Sequence, residues 1–284
     1  MRAGYGWALV LVIAAATVNA AVATEPSALS SAALATRPSA PRKPPRLAAL
    51  KLLQFNVLSA TQGRDAGVAA VIKASGADVV TLDEVAYKDI FDKIVARTHM
   101  HGVWIKSEDP FSVGILSRYP IRQCTPYVDP PMHHGAYGCL VRIGGVNWWI
   151  FGAHLWPYDE NVRAQEAAFL LSKMKQHAAD RVVLAGDLNS QSPGENDRLP
   201  LLVIPMLKNA GYIDSYRELI PIAKNPGFTI SPPPWGTFER RIDYVFHSPN
   251  ARAVRARVIS SVPGYSWPAD HAALYVKLID PSPH

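Results

Sequence analysis

Six places in the chain put a carboxylate, amide or imidazole side chain at or beside the end of an apolar run. These side chains belong to Asn56, Glu84, His154, Asp187 with Asn189, Asp243, and Asp270 with His271. Carboxylate and amide oxygens are the ligands that Mg²⁺ and Ca²⁺ take in proteins, and histidine exchanges protons near neutral pH. Any one of these residues alone is more often a turn former or a buried structural residue. Taken together, they predict a divalent-metal site equipped for proton transfer.

The apolar runs that carry these residues predict an α/β protein. From Leu50 onward, short runs rich in β-branched residues alternate with helical stretches, without an internal repeat. The runs typical of strands are 51–58, 78–82, 111–117, 138–143, 147–154, 181–186, 241–247 and 272–278. The stretches typical of helices, with apolar residues at spacings of three and four, are 64–75, 87–97, 161–177 and 199–209. Because several strands follow one another without an intervening helix, we expect antiparallel pairs within mixed sheets.

The chain begins with the residue order of a secretory signal. Arg2 precedes an apolar stretch that runs from Trp7 to about Val18, and small residues follow at 21–23. This order predicts a signal peptide over residues 1–23, which is removed in a secreted or periplasmic protein. An uncleaved membrane anchor is the alternative, although the stretch is near the short limit for a span.

Residues 24–46 are rich in Ala, Ser and Pro and lack aromatic residues, a composition that predicts a disordered tether. We expect one folded domain over residues 47–284. The first 46 residues hold five of the 29 Lys and Arg and one of the 23 acidic residues, which leaves the domain with a net charge of only +2. The bulk charge therefore argues only weakly for a nucleic-acid partner.

Cys124 and Cys139 are the only cysteines in the sequence. In an oxidising compartment, thiols within reach of one another pair, so we expect a disulfide. Two buried free thiols are the alternative, because spacing in sequence cannot place two Cα atoms within bridging distance. A zinc site is not favoured, since no C-x-x-C pair accompanies these cysteines.

The ordered motifs over residues 50–279 resemble the endonuclease/exonuclease/phosphatase superfamily, which includes DNase I-like nucleases, abasic-site endonucleases, neutral sphingomyelinases and inositol-polyphosphate phosphatases. The motifs are the residues described above together with 114–120 (GILSRYP), Arg163, Gln165, 210–216 (AGYIDSY) and 240–244 (RRIDY). The resemblance implies a DNase I-like four-layer α/β/β/α sandwich. In that fold two mixed sheets pack face to face, helices cover their outer faces, and the site lies at one rim.

Two departures from the family pattern are visible. Asp83 precedes Glu84 where the family more often has Gln, and Leu155 and Trp156 follow His154 where a small polar residue is common. Neither departure replaces a residue of the expected reaction. They therefore bear on substrate preference more than on catalysis.

The resemblance implies which residues hold the metal. Asn56 and Glu84 would be ligands, with Asp270 as a further one. The expected metal is Mg²⁺, with Mn²⁺ and Ca²⁺ as alternatives. Attack on a phosphodiester places extra charge on the phosphorus oxygens, which a metal together with imidazole and amide donors stabilises.

The resemblance assigns the other polar residues to the reaction itself. Asn189 and His154 would contact the scissile phosphate, and Asp187 would bind or activate the attacking water. His271 would transfer a proton or stabilise the phosphate, oriented by Asp243.

Spacing along the chain agrees with these roles. In an extended segment, residues two apart project to the same side, as Asp187 and Asn189 would. Asp270 and His271 are neighbours and project oppositely, so Asp270 is better placed as a metal ligand than as the partner of His271. Asp243 is then the orienting carboxylate.

The basic and aromatic residues near the motifs bear on the substrate. Arg118 and Arg163 are candidate phosphate contacts, and Arg240 and Arg241 lie nearby in sequence. Arg163 and Arg241 can instead pair with acids inside the scaffold. The aromatic residues close to the motifs are Trp156, Tyr158, Trp235, Tyr265 and Trp267. Such rings stack on nucleobases, enclose a quaternary ammonium group, or simply pack a loop.

The sequence thus predicts a secreted, divalent-metal-dependent phosphoesterase that hydrolyses phosphodiester bonds, most like an endonuclease. Nucleic acid is favoured over phospholipid as the substrate, and we expect a monomer without a stable protein partner. Two substrate alternatives keep the chemistry: a phospholipid, as for a sphingomyelinase, and a small phosphomonoester. A binding or toxin-delivery module with weak chemistry is the alternative of another class.

Overall fold

The computed structural model describes residues 47–58, 63–107, 111–195, 201–231 and 237–282. The predicted signal peptide and tether lie outside the described residues, as do Trp235 and the first residues of the helix predicted over 199–209. Among the described residues, no helix combines the length and the apolar composition needed to span a membrane.

Twelve strands of the described chain form two six-stranded sheets. The first sheet contains β1 (Ala49–Asn56), β2 (Val79–Asp83), β3 (His101–Ile105), β4 (Val113–Ser117), β11 (Arg252–Ile259) and β12 (Ala273–Ile279). The second contains β5 (Ile121–Tyr127), β6 (Ala136–Ile143), β7 (Val146–Ala153), β8 (Arg181–Asp187), β9 (Ile213–Asp214) and β10 (Asp243–His247). The spatial orders are β11-β12-β1-β2-β4-β3 and β5-β6-β7-β8-β10-β9. Each sheet has one parallel pair, β1 with β2 and β7 with β8, so both sheets are mixed as predicted.

Four helices cover the outer faces of the sheets. They are α1 (Asp65–Ser75), α2 (Lys88–Thr98), α3 (Glu160–Lys175) and α4 (Val203–Asn209). Phe55 and Leu82 of the first sheet pack against Ile72 and Ile94 of α1 and α2. A second apolar layer lies between α3 and α4 and the second sheet, and a third fills the space between the two sheets. Three apolar layers separate four layers of structure, which confirms the predicted four-layer sandwich.

All eight predicted strands and all four predicted helices are present, with ends that differ by a few residues. The four strands that the sequence patterns missed are β3, β5, β9 and β11, and each of them is an edge strand. Edge strands are half-exposed and tolerate polar residues and proline. Strand β5, for example, contains Pro126. This composition weakens the apolar run by which a strand is recognised in a sequence.

Candidate active site

The parallel pairs bring four of the predicted residues to one edge of the sandwich. Asn56 ends β1, Glu84 follows β2, His154 follows β7, and Asp187 ends β8. Because β1 runs parallel to β2 and β7 runs parallel to β8, the carboxyl ends of each pair lie at the same edge of their sheet.

Two antiparallel strands add residues to the same edge, because they begin where β1 and β8 end. Asp243 begins β10, which pairs antiparallel with β8 so that Asp243 stands opposite Asp187. Asp270 and His271 precede β12, which runs antiparallel to β1. The starts of these strands therefore meet the ends of β1 and β8.

Asn56 and Asp187 join the two sheets at the centre of the site. Asn56 Nδ2 donates to Glu84 Oε1 at 2.9 Å and to Asp187 Oδ2 at 3.0 Å. His154 Nε2 lies 3.9 Å from the same Glu84 oxygen and 3.8 Å from the same Asp187 oxygen. The amide, the two carboxylates and the imidazole thus surround one small space.

His271 faces this space with one nitrogen and Asp243 with the other. Its Nδ1 lies 2.8 Å from Asp243 Oδ2, and its Nε2 lies 3.6 Å from Asp187 Oδ2 and 4.0 Å from Asp270 Oδ1. Burial by itself disfavours the imidazolium, but Asp243 and then Asp187 outweigh it and raise the pKa of His271 to about 10. His271 is therefore a cation at neutral pH.

His154 has the opposite electrostatic setting. Burial is the largest cause that holds the pKa of His154 well below its usual value, and the neighbouring His134 and His271 lower it further. His154 is therefore a neutral imidazole. Burial and the Asp243 carboxylate raise the pKa of Asp187 to about 7, against the opposing effect of His271.

Two residues at the rim have left-handed backbones that only glycine adopts at low cost. Glu84 has φ +59° and Asn189 has φ +46°. The Asn189 backbone N–H donates to Asp187 Oδ1 at 2.9 Å, and Asn189 Nδ2 donates to the Leu155 carbonyl at 2.9 Å. Strained conformations of this kind persist at functional sites because the surroundings impose them. Both side chains line the same cleft as His154, Asp187 and His271.

The donor set fits a divalent cation. Ligand atoms of Glu84, His154 and Asp187 all lie within 4.8 Å of one another. Asp270 Oδ1 is buried and has no hydrogen-bond partner among the described residues, so it is available to a cation. The Asn56 amide turns its nitrogen toward the carboxylates, and its Oδ1 accepts the Leu58 N–H at 3.0 Å. Carboxylate oxygens with one imidazole suit Mg²⁺ or Mn²⁺.

Two residues beneath the site were not predicted from the sequence. Gln54 Nε2 donates to Asp83 Oδ2 at 2.7 Å and to Asp243 Oδ1 at 3.0 Å, and Asp83 Oδ2 also accepts the backbone N–H of Asp187 at 2.8 Å. Burial, followed by the charge of Asp187, raises the pKa of Asp83 well above its usual value. The signal in the sequence was a polar residue next to buried apolar ones: Gln54 lies between Leu53 and Phe55 in β1, and Asp83 follows Leu82 at the end of β2.

Neither arginine predicted to contact phosphate lines the cleft itself, although Arg163 lines a smaller adjoining pocket together with Asn189 and Arg240. Arg118 follows β4, whose last residue pairs with the first residue of β2, so Arg118 lies at the opposite edge from Glu84. There its Nε donates to the Ala77 carbonyl at 2.9 Å. Arg163 is buried, and its guanidinium binds Glu160 Oε2 at 2.7 Å and the Trp156 carbonyl at 2.8 Å.

Arg241 is likewise a scaffold residue, as the alternative interpretation held, because it is buried against Glu195 and Asp214. The exposed Arg240 lines the cleft instead, together with Tyr158, whose side chain is 81% exposed.

Phe111 and His134 are further cleft residues that the sequence patterns missed. The His134 ring lies 4.4 Å from the His154 ring and 4.8 Å from Phe111, centroid to centroid. Trp156 packs against His134 at 5.1 Å. The pair of histidines at 133–134, directly before β6, was the available signal. These rings form one wall of the cleft.

Cys124 and Cys139 form the expected disulfide. The two residues stand directly opposite each other in the β5–β6 pair. Tyr265 and Trp267 do not line the cleft but a neighbouring cavity.

Comparisons with known proteins identify a matching family and similar folds. Residues 53–271 match the model of the Endonuclease/Exonuclease/phosphatase family. No curated protein matches the chain in sequence.

Three solved structures share the fold at low sequence identity. Humanised TDP2 of D. rerio, carrying 14 mutations, has a TM-score of 0.65 at 18% identity, over 81% of this chain and 98% of its own. An endonuclease/exonuclease/phosphatase family protein of Bacteroides thetaiotaomicron has a TM-score of 0.65 at 16% identity, over 82% and 98%. TDP2 of D. rerio in complex with a single-strand DNA product has a TM-score of 0.65 at 16% identity, over 81% and 98%.

Proposed function

Because this chain belongs to the endonuclease/exonuclease/phosphatase family, a family of metal-dependent phosphoester hydrolases, we propose that it cleaves phosphodiester bonds of nucleic acid outside the cytoplasm. The observation that carries the proposal is the meeting, at one edge of the sandwich, of Glu84, Asn56 and Asp187 with His154 and the Asp243–His271 pair.

The metal-binding part of the proposal rests on oxygen ligands. Asn56, Glu84 and Asp270 would hold Mg²⁺, with Mn²⁺ or Ca²⁺ as alternatives. When bound, the metal would neutralise charge on the phosphate oxygens. The buried Asp270 Oδ1 and the strained Glu84 support this ligand set.

The protein's own residues supply the other parts of the reaction. Asp187, with a pKa raised to about 7, accepts a proton from the attacking water. His154 is neutral, and its Nε2, beside Glu84 and Asp187, would donate a hydrogen bond to a phosphate oxygen. Asn189 Nδ2 donates one proton to the Leu155 carbonyl and has a second proton for the phosphate. Donors of this kind stabilise the charge that develops during attack.

His271 adds a positive charge beside Asp187. Asp243 accepts the Nδ1 proton, which leaves the Nε2 proton directed into the cleft. The imidazolium can therefore stabilise the phosphate or protonate the leaving oxygen.

The preference for nucleic acid rests on the cleft wall and on one relative. TDP2 of D. rerio has been solved with a single-strand DNA product. In this chain the exposed Arg240 and Tyr158 border the cleft, where a guanidinium suits phosphate and a ring suits a base. A phospholipid or a small phosphomonoester remains the competing substrate.

The extracellular or periplasmic location rests on the signal-like residues 1–23. A disulfide in the folded domain is consistent with export, because disulfides persist in oxidising compartments. We propose that the mature protein acts as a monomer.

An assay panel tests the proposal. Purified mature protein with Mg²⁺ should hydrolyse plasmid DNA or RNA faster than sphingomyelin or an inositol phosphate. EDTA should abolish hydrolysis, and Mg²⁺ or Mn²⁺ should restore it. Glu84→Gln should mimic EDTA without changing the unfolding transition, whereas Asp92→Asn, in an exposed ion pair of α2, should have no effect.

Two results would refute the proposal. Full activity in excess chelator after prolonged dialysis would exclude the metal mechanism. Inactivity toward all four substrates, with metal present and the protein folded, would favour a binding module.

A further inference from the structure

A second cavity of about 460 Å³ adjoins the cleft. Asp270 lines this cavity and the next residue, His271, lines the cleft, so consecutive residues face the two spaces. The other residues that matter here are Arg64, Tyr265 and Trp267. We call this space the Arg64–Tyr265 cavity.

The walls of the Arg64–Tyr265 cavity are fixed by close packing. Helix α1 approaches the 265–270 loop so closely that a Cβ on Gly67 would lie 3.2 Å from Pro268 Cβ. Trp267 Nε1 donates to the His271 carbonyl at 2.7 Å, and its ring lies 5.5 Å from the Phe55 ring. The cavity is thus anchored to the same segment that positions His271.

The polar lining of the cavity includes one weakly held cation. The hydrogen bonds of Arg64 among the described residues go to the carbonyls of Leu58 and Pro268, at the long distances of 3.4 and 3.5 Å. Asp270 lines the same cavity. Tyr265 is 54% exposed beside it.

We infer that the Arg64–Tyr265 cavity binds the nucleotide next to the scissile phosphate, an inference that rests on the proposed nuclease function. A guanidinium recognises a flanking phosphate, and an exposed aromatic ring stacks on a base of any identity. The volume of about 460 Å³ lies within the range of small-molecule sites. The positive charge of Arg64 disfavours a quaternary ammonium head group, which the aromatic rings alone would accept.

A binding measurement without catalysis tests the inference. Fluorescence anisotropy of a labelled ten-nucleotide single-stranded DNA in EDTA gives Kd at several salt concentrations. Arg64→Ala and Tyr265→Ala should each weaken binding about tenfold. Arg64→Ala should also reduce the slope of log Kd against log salt by about 0.7, the value for one lost phosphate contact on a single strand.

Conservative and remote variants serve as controls. Tyr265→Phe keeps the ring and should bind as the wild type does. Arg64→Lys should keep the salt slope and lose only part of the affinity. Arg142→Ala removes an exposed arginine at the β6–β7 turn, at the opposite edge of the second sheet from His154, and should leave Kd unchanged.

The outcomes separate this inference from the proposed function. Wild-type hydrolysis of bis(4-nitrophenyl) phosphate with Mg²⁺ tests the cleft chemistry by itself, since that diester lacks a flanking nucleotide. If hydrolysis occurs but Tyr265→Ala and Arg64→Ala both bind DNA with wild-type affinity, the cavity inference is overturned while the function stands. If these two variants bind phosphatidylcholine vesicles more weakly than the wild type does but bind DNA with unchanged affinity, the inference is overturned in favour of a lipid head group.

Discussion

His271 contacts its two carboxylate neighbours at different distances, and the distances separate their roles. Asp243 is at hydrogen-bonding distance from Nδ1, 2.8 Å, whereas Asp187 lies 3.6 Å from Nε2. Asp243 therefore sets the orientation of the ring, and the Nε2 proton remains available to a substrate oxygen. The two carboxylates together explain why a buried imidazole is charged.

Substitutions of this pair should affect rate far more than folding. His271→Ala should lower kcat about a thousandfold, roughly 4 kcal/mol of transition-state stabilisation. Asp243→Asn should cost nearly as much. Because the two residues act as a unit, the double variant should be much less impaired than the product of the single effects. Steady-state kinetics, corrected for the folded fraction, gives the three ratios.

His247 provides a matched control for the His271 measurement. It is also a buried histidine paired with a carboxylate, with Nε2 2.8 Å from Oε2 of the more exposed Glu218, but it lies at the other end of β10. His247→Ala should lower the unfolding temperature and leave kcat per folded molecule unchanged. If His271→Ala behaves in the same way, with multiplicative effects in the double variant, His271 is structural.

At the scale of the elements, Gln54 joins strands from both sheets beneath the active site. It lies on β1, and its amide binds Asp83 on β2 and Asp243 on β10. Asp83 in turn accepts the backbone N–H at the end of β8. The positions of Asp187 and Asp243 therefore depend on an inter-sheet hydrogen-bond network that does not itself touch substrate.

Gln54→Met should remove this network while keeping an unbranched side chain of similar length. We expect the free energy of unfolding to fall by about 3 kcal/mol, because two buried carboxylates lose a donor. The rate should fall as well, since Asp243 is no longer fixed. Thr81→Val is the control: Thr81 stands beside Gln54 in the β1–β2 pair, and its Oγ1 has no hydrogen-bond partner among the described residues. The free energies of unfolding of the two variants, measured in urea, should therefore differ by most of the expected loss of about 3 kcal/mol.

The Cys124–Cys139 disulfide ties the edge strand β5 to β6. Replacing both cysteines by serine should lower the free energy of unfolding by about 3 kcal/mol, the chain-entropy value for a short loop. The active-site geometry lies on other strands, so kcat should persist in the folded fraction. Mass spectrometry of the non-reduced exported protein checks the bond directly, and two alkylatable thiols in that material would contradict it.

At the scale of the whole molecule, the site lies where the two sheets meet, so its ionisation state contributes to global stability. Asp187 has a pKa of about 7 in the folded protein and an ordinary value near 4 when unfolded. The folded state therefore binds more protons between these values, and stability falls as pH rises through this window. The raised pKa of His271 contributes stability that is complete below about pH 6.5 and is lost progressively as pH rises from there through about 10.

In metal-free protein Asp187 alone should lower stability by about 1.4 kcal/mol per pH unit between pH 5 and pH 7, whereas the lowered pKa of His154 acts in the opposite direction up to about pH 6.5. Mg²⁺ should stabilise the protein more at pH 8 than at pH 5, because ligands must be deprotonated to bind it. Urea unfolding in EDTA and in Mg²⁺ measures both effects. Asp187→Asn isolates the contribution of Asp187: the stability of the variant relative to the wild type should rise between pH 5 and pH 7, and a pH dependence identical to that of the wild type would contradict the assignment.

The sequence by itself determined the central strands, the helices and the identity of the polar residues that end the strands. Central strands are buried on both faces and so read as continuous apolar runs, and the polar residue that ends such a run is conspicuous. Edge strands carry no such signal, which is why β3, β5, β9 and β11 were missed.

Only the tertiary structure decided which charged residues share the site. Arg118 and Arg64 are both arginines beside strand or helix ends in the sequence, yet β2–β4 pairing carries Arg118 to the far edge while α1 places Arg64 beside Asp270. Gln54 and Asp243 are 189 residues apart and meet only because the sheets pack face to face. Local patterns encode burial and backbone conformation, but pairing across sheets depends on long-range packing that no short stretch of sequence specifies.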